Sequence, residues 1–275
     1  MKPTILRCLV LAALLAVLSV AGSAQPGIPP PSAARMFAGE SLVYDAKINK
    51  ILHGISIAEL TFSASALHGS DQLVIKSDAV SKGTLLKLFR YSFLQHYEST
   101  IDLDTFRILK TTKHDVQRER VRDSEAVFDY GEKRVTFMES DPKDNMRPPR
   151  RIASEIGEQV YDMISAIYAV RLLPLAVGKK FELSVSDSGL VYKLPFVVAA
   201  RETQKSVLGK SSCFRIEPQI FGPGKLIEQE GSMVIWMTDD ESHVPVRAEI
   251  NSSYGKIDIK LKSQAKATAA ARPKK

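Results

Sequence analysis

The chain has 275 residues, 44% of them hydrophobic and 25% charged, with a formal net charge of +7 and two cysteines. One cysteine, Cys8, falls in the N-terminal stretch expected to be removed, so no internal disulfide can staple the remainder, and a packed core must hold a chain of this length together. The mild basic excess suits an anionic lipid or cell-wall polymer, or solubility alone. Nucleic acid is disfavoured, because neither a zinc-finger spacing nor a basic–aromatic stacking pattern occurs.

Lys2 and Arg7, the apolar run from Leu9 to Val20 and the small residues Gly22-Ser23-Ala24 are the three parts of a secretory signal peptide, in order. Cleavage is expected after Ala24, with delivery to the periplasm of a Gram-negative bacterium. The rival reading is a retained anchor, but the run falls short of the roughly 20 residues that span a bilayer. Cys8 precedes the run, so lipidation is not expected. No later stretch approaches spanning length, which predicts a soluble product.

Residues 25–39 carry Pro26, Pro29, Pro30 and Pro31, which donate no backbone hydrogen bonds, and are expected to form an extended leader. From residue 40 the dominant signal has period two, as in strands that bury one face. Leu42, Tyr44, Ala46 and Ile48 share a side, then Ala58, Leu60, Phe62 and Ala64. Further strands are predicted over 72–80, 96–103, 107–117, 126–130 and 134–138. A helical turn or a strand fits residues 84–93 about equally.

The loop over residues 140–151 contains Pro142, Pro148 and Pro149 and separates possible halves at 40–140 and 150–264. After it, Val160, Met163, Ile164, Ile167 and Val170 follow helical spacing, predicting one helix over about 158–172 that ends before Pro174. Strands are then predicted over 181–186, 191–199, 213–219, 231–237 and 244–251. A last one follows the alternation of Ile257, Ile259 and Leu261 with Asp258, Lys260 and Lys262. Residues 265–275 read as a basic disordered tail. The fold expected for 40–264 is mainly β: curved antiparallel sheets forming an incomplete barrel or half-barrels around one central packed helix.

Motifs for chemistry are sparse. There is no G-x-S-x-G elbow, no nucleotide-binding glycine loop and no H-E-x-x-H, and the five histidines stand singly. No catalytic, cofactor or metal residue is nominated; these absences weigh against an enzyme without excluding one. Asp239 and Asp240 fit either a paired-carboxylate site or, from their neighbours, an aspartate-stabilised turn. Asp162, Tyr168 and Arg171 lie beside the helical stripe, where they either tie the helix to the sheet or line a pocket. Trp236 is a core plug or a ligand platform. The candidate ligand contacts are therefore Asp162, Tyr168, Arg171, Trp236 and Asp239. Lys110, Lys113, Arg118, Arg120 and Arg122 form a basic series that reads as a solvated face or as a binder of anionic polymer.

Two stretches carry a resemblance: 161–175 followed by Gly178, and Val234-Ile235-Trp236-Met237-Thr238-Asp239-Asp240 followed by Val244-Pro245-Val246. With Leu42-Val43-Tyr44-Asp45 and Gly54-Ile55-Ser56-Ile57-Ala58, they resemble an exported bacterial family, domain of unknown function 3108, from about Glu40 to Leu261. Ile57 and Glu59 stand where a small-residue pair is expected. The resemblance implies an address and a fold and brings no catalytic residue or ligand.

Three functions remain in contention. The first is a non-catalytic binding or carrier module for an apolar or amphipathic envelope component, by analogy of architecture with periplasmic lipoprotein carriers. The second is an assembly partner of another envelope protein, acting through a sheet edge or a basic face. The third is a hydrolase with a site drawn from remote residues.

Overall fold

A computed structural model of the chain describes residues 34–49, 54–253 and 255–266. The expected signal peptide, most of the expected Pro-rich leader and residues 267–275 of the expected tail lie outside the described residues.

The strands are β1 (Glu40–Asn49), β2 (Ile55–Ala66), β3 (Gln72–Ser81), β4 (Phe93–Asp102), β5 (Ile108–Gln117), β6 (Arg120–Asp129), β7 (Arg134–Ser140) and β8 (Arg150–Glu155). They continue with β9 (Tyr161–Asp162), β10 (Lys180–Asp187), β11 (Leu190–Ser206), β12 (Gly209–Pro218), β13 (Gly231–Thr238), β14 (Pro245–Ser252) and β15 (Gly255–Lys266). Among the described residues two α-helices interrupt them, α1 (Gly83–Phe89) and α2 (Met163–Arg171).

All fifteen strands belong to one sheet, ordered β8-β7-β6-β5-β4-β3-β2-β1-β15-β14-β13-β12-β11-β10-β9. Two meanders are thus joined where the first strand pairs antiparallel with the last. Among the strands named above, β9 alone pairs parallel, against Val185 and Ser186 of β10. The alternation read in β1 is real: Leu42, Tyr44, Ala46 and Ile48 are all buried. Leu42 faces Phe62, Tyr44 faces Leu60 and Ala46 faces Ala58, until a bulge shifts the register between Ala46 and Lys47. Such a bulge increases the local twist.

The sheet does not close on itself, since β8 and β9 are its ends. It nevertheless wraps round. The β10–β11 turn reaches β8, where Ser154 Oγ donates to the Gly189 carbonyl at 2.6 Å, and Ile152 and Val191 share one apolar cluster. This is an incomplete barrel whose two ends meet through side chains and a turn instead of a strand ladder. Inside it sits α2, with Tyr168, Ala169 and Val170 in the largest apolar cluster together with Leu73, Ile75, Phe181, Leu183, Phe196 and Ile216. Both meanders therefore pack on the same helix.

Four expectations need correction. The helix begins at Met163, five residues later than the apolar spacing suggested, because Asp162 caps it. Asp162 has extended backbone and accepts from the amides of Ile164 and Ser165, while Ser165 Oγ takes the Asp162 amide, a reciprocal capping box. Residues 150–155 form β8, paired with β7, where no strand was read. The segment 34–38 is not an extended leader: Arg35–Phe37 make a 3-10 turn that buries Phe37. Ala265 and Lys266 are not tail, since Lys266 pairs with Glu40. Residues 83–89 resolve the open choice at α1 in favour of helix.

Candidate functional site

The rows that line the concave side of the sheet beside α2 come from strands far apart in sequence. Across β2 and β1 stand Leu60 and Phe62 opposite Tyr44 and Leu42. Across β13, β14 and β15 stand Ile235, Ala248 and Ile259 in one register row. With Met233, Pro245 and the helix residues Ile167, Tyr168 and Arg171 they line a partly open cavity of about 200 Å³. Its walls are almost wholly apolar carbon. A water molecule needs two to four polar partners to be stable in such a space, and these walls offer too few. At ~30 Å³ per group the size of a water or methylene, the space corresponds to roughly six methylene groups.

The polar atoms beside this cavity are already committed. Tyr44 Oη donates to the Pro245 carbonyl at 2.8 Å, with its ring edge-on to Phe62. Arg171 and Glu40 are both 1% exposed and form a two-pronged pair, Nη1 to Oε2 at 2.5 Å and Nη2 to Oε1 at 2.8 Å. Arg171 Nε donates to the Ser242 carbonyl, and the guanidinium lies over the rings of Phe37 and Tyr168. Tyr168 Oη is buried without a hydrogen-bond partner. Burial raises the pKa values of both tyrosines, so they remain neutral hydroxyls.

Of the five residues nominated from sequence, Tyr168 and Arg171 border this cavity and Asp162, Trp236 and Asp239 do not. Trp236 is buried with Cys213, Val244 and Val246; its Nε1 donates to Glu202 at 2.7 Å and Arg247 covers its ring. Asp239 pairs with Arg201 at 3.0 Å, near the surface. Its neighbour Asp240 accepts from Thr238, Ser242 and His243 and shapes the β13–β14 turn. Glu40 escaped sequence reading because its partner lies 131 residues away. The alternation of Leu42 with Tyr44 and of Leu60 with Phe62 was the available signal for the cavity walls.

Asp162 is fully buried beneath the helix, where the Ser99 hydroxyl also donates to it. Desolvation pushes its pKa up, against the opposing pull of these hydrogen bonds. A carboxyl whose folded pKa is raised holds more protons folded than unfolded, so its contribution to stability falls as pH rises through that window. Urea unfolding should therefore show wild type losing stability relative to Asp162→Asn as pH rises from the ordinary carboxylate range towards neutrality. A difference that stays flat with pH would show that Asp162 is charged throughout.

A larger open groove of about 520 Å³ crosses β3 to β7 on another part of the sheet. There Asp78, His96, His114, Asp123 and Ser140 lie in one register row. His114 Nδ1 approaches Asp123 at 2.5 Å, His96 pairs with Asp78, and the two imidazoles stack at 6.2 Å. Among the described residues no group of three or more His, Cys, Asp or Glu is placed to hold a metal ion. In the basic series, Lys110 pairs with Glu125, Arg122 with Asp141, and Arg118 stacks on Tyr91. Two of the five charges in the series are thus compensated by a carboxylate. No helix among the described residues is long and apolar enough to cross a membrane.

Among curated proteins no relative of this chain is found. Among solved structures, a β-barrel-like protein of the domain of unknown function DUF1849 from Brucella abortus overlays with a TM-score of 0.55 at 8% identity, covering 84% of this chain and 98% of that one. It shares the fold. A hypothetical protein from Chlamydia trachomatis overlaps at a TM-score of 0.32 and 12% identity, covering 86% and 92%. A Bacteroides fragilis protein described as a candidate for export, with a YmcC-like fold, overlaps at 0.29 and 9%, covering 83% and 96%. The family model for the protein of unknown function DUF3108 matches residues 43–262, and the chain belongs to that family.

Proposed function

We propose that this protein is a non-catalytic binding module of the bacterial envelope that shelters an apolar or amphipathic component beside α2. The observation that carries this reading is the apolar cavity between Ile167 and the rows of β1, β2 and β13–β15. Well-packed interiors leave few voids larger than a water molecule, so an apolar space of this size loses contacts on every wall unless something fills it. In this reading Tyr168 and Arg171 form its floor, and the signal peptide supplies the address.

Native mass spectrometry of protein purified from the periplasm tests it. Wild type is expected to carry a lipid-sized adduct, and Ala248→Phe, which places a ring in the cavity, is expected to lose the adduct while keeping or raising its melting temperature, as cavity-filling substitutions do. A stoichiometric protein partner in place of lipid would favour envelope assembly instead. A wild-type protein without adduct, which also binds no envelope lipid after delipidation, ends the proposal.

A further inference from the structure

We infer that the cavity beside α2 receives a single hydrocarbon chain, tail first, and leaves the head group of its ligand unread. This rests on the binding reading above and adds the ligand class: a single-chain amphiphile, or one chain of a larger one. Volume limits the length that can be buried. At ~30 Å³ per methylene-sized group, about 200 Å³ takes roughly six methylenes, which a single chain supplies by itself.

Electrostatics excludes the head. Among the described residues Arg171 is the one charged side chain lining the cavity, and Glu40 already neutralises it with two hydrogen bonds while the Ser242 carbonyl takes a third N–H. A carboxylate or phosphate brought to that depth would shed its water with no free counter-charge to meet it. The Tyr44 hydroxyl is bound to the Pro245 carbonyl. The unpartnered Tyr168 hydroxyl is covered by surrounding protein, not presented to the open space. Hydrogen bonding therefore offers no recognition at the bottom of the cavity. At its sides the apolar surface continues outward, since Leu60, Met233, Ile235 and Ile259 are only half-buried. A chain can enter along them while its head group stays in water.

The test is displacement of a fluorescent apolar dye from the delipidated, exported protein by alkyl maltosides from propyl to dodecyl, followed by octyl chains bearing maltoside, carboxylate or trimethylammonium heads. Affinity is expected to rise about fourfold per methylene up to roughly hexyl and with less than half that slope beyond. The three heads are expected to agree within about fivefold, as exposed charges do. A slope unbroken to dodecyl, or a preference of about tenfold or more for one head, overturns the inference while leaving a binding protein in place. Failure of every alkyl chain to displace the dye overturns both.

Discussion

Arg171→Met is expected to destabilise the protein by about 3–5 kcal/mol, because it strands the Glu40 carboxylate in the core without a counter-charge. Both side chains are buried, and the pair links three segments that are remote in sequence: the start of β1, the end of α2 and, through the Ser242 carbonyl, the β13–β14 turn. Against a total stability of about 5–15 kcal/mol, such a loss would leave a barely folded chain. The pair need not be a net stabiliser, since burying two charges costs about as much as their attraction returns. The double variant Glu40→Leu with Arg171→Met is therefore expected to recover most of the loss. Urea midpoints at unchanged slope measure both. A single-variant loss below about 1 kcal/mol would mean that water reaches Glu40 and that the cavity floor is not dry.

Period-two burial made β1 legible, because one face of that strand is covered along its whole length, and most other strands were read for the same reason. Arg150–Glu155 failed to register because Ile152 is its one large apolar residue, and as an edge strand it pairs with β7 alone. Apolar spacing extends the helix back to residue 158 because Val160 fits the stripe, yet Val160 packs with Ile108, Phe128 and Val135 and takes no part in α2. The start of α2 is set by the Asp162 side chain, a two-residue event that apolar spacing does not register. Phe37 stands alone in a sequence that otherwise reads as leader; its burial depends on the ring of Tyr168 and the guanidinium of Arg171. The cavity shows the same limit. Each wall was visible as an alternating strand, but which strands meet around α2 follows from the β1–β15 seam, and no local pattern announces a ladder between the two ends of a chain.

Gly189→Ala is expected to cost about 2–5 kcal/mol and to loosen the barrel where its ends meet. Ser188 and Gly189 are the two central residues of the β10–β11 hairpin, both at positive φ, 51° and 82°, as a type I′ turn requires. An alanine there pays ~1–2 kcal/mol for left-handed backbone. Its methyl carbon would also lie 2.6 Å from Phe137 Cβ and 3.0 Å from Ile152 Cβ, contacts with the stems of two side chains in β7 and β8 that cannot swing aside. Overpacking of that kind adds ~1–3 kcal/mol. Gly209, at the start of β12, separates the two contributions: its φ is 95°, but nothing lies within 4 Å of an added Cβ. Gly209→Ala should therefore show the conformational cost alone, and the excess at Gly189 measures how tightly the turn is docked. Hydrogen exchange should place that excess in β7 and β8, with their amides losing protection in Gly189→Ala and keeping it in Gly209→Ala. Equal losses at the two glycines would mean that the ends of the sheet stand apart in solution, and that the wrapped shape around α2 depends on the core cluster without help from the turn.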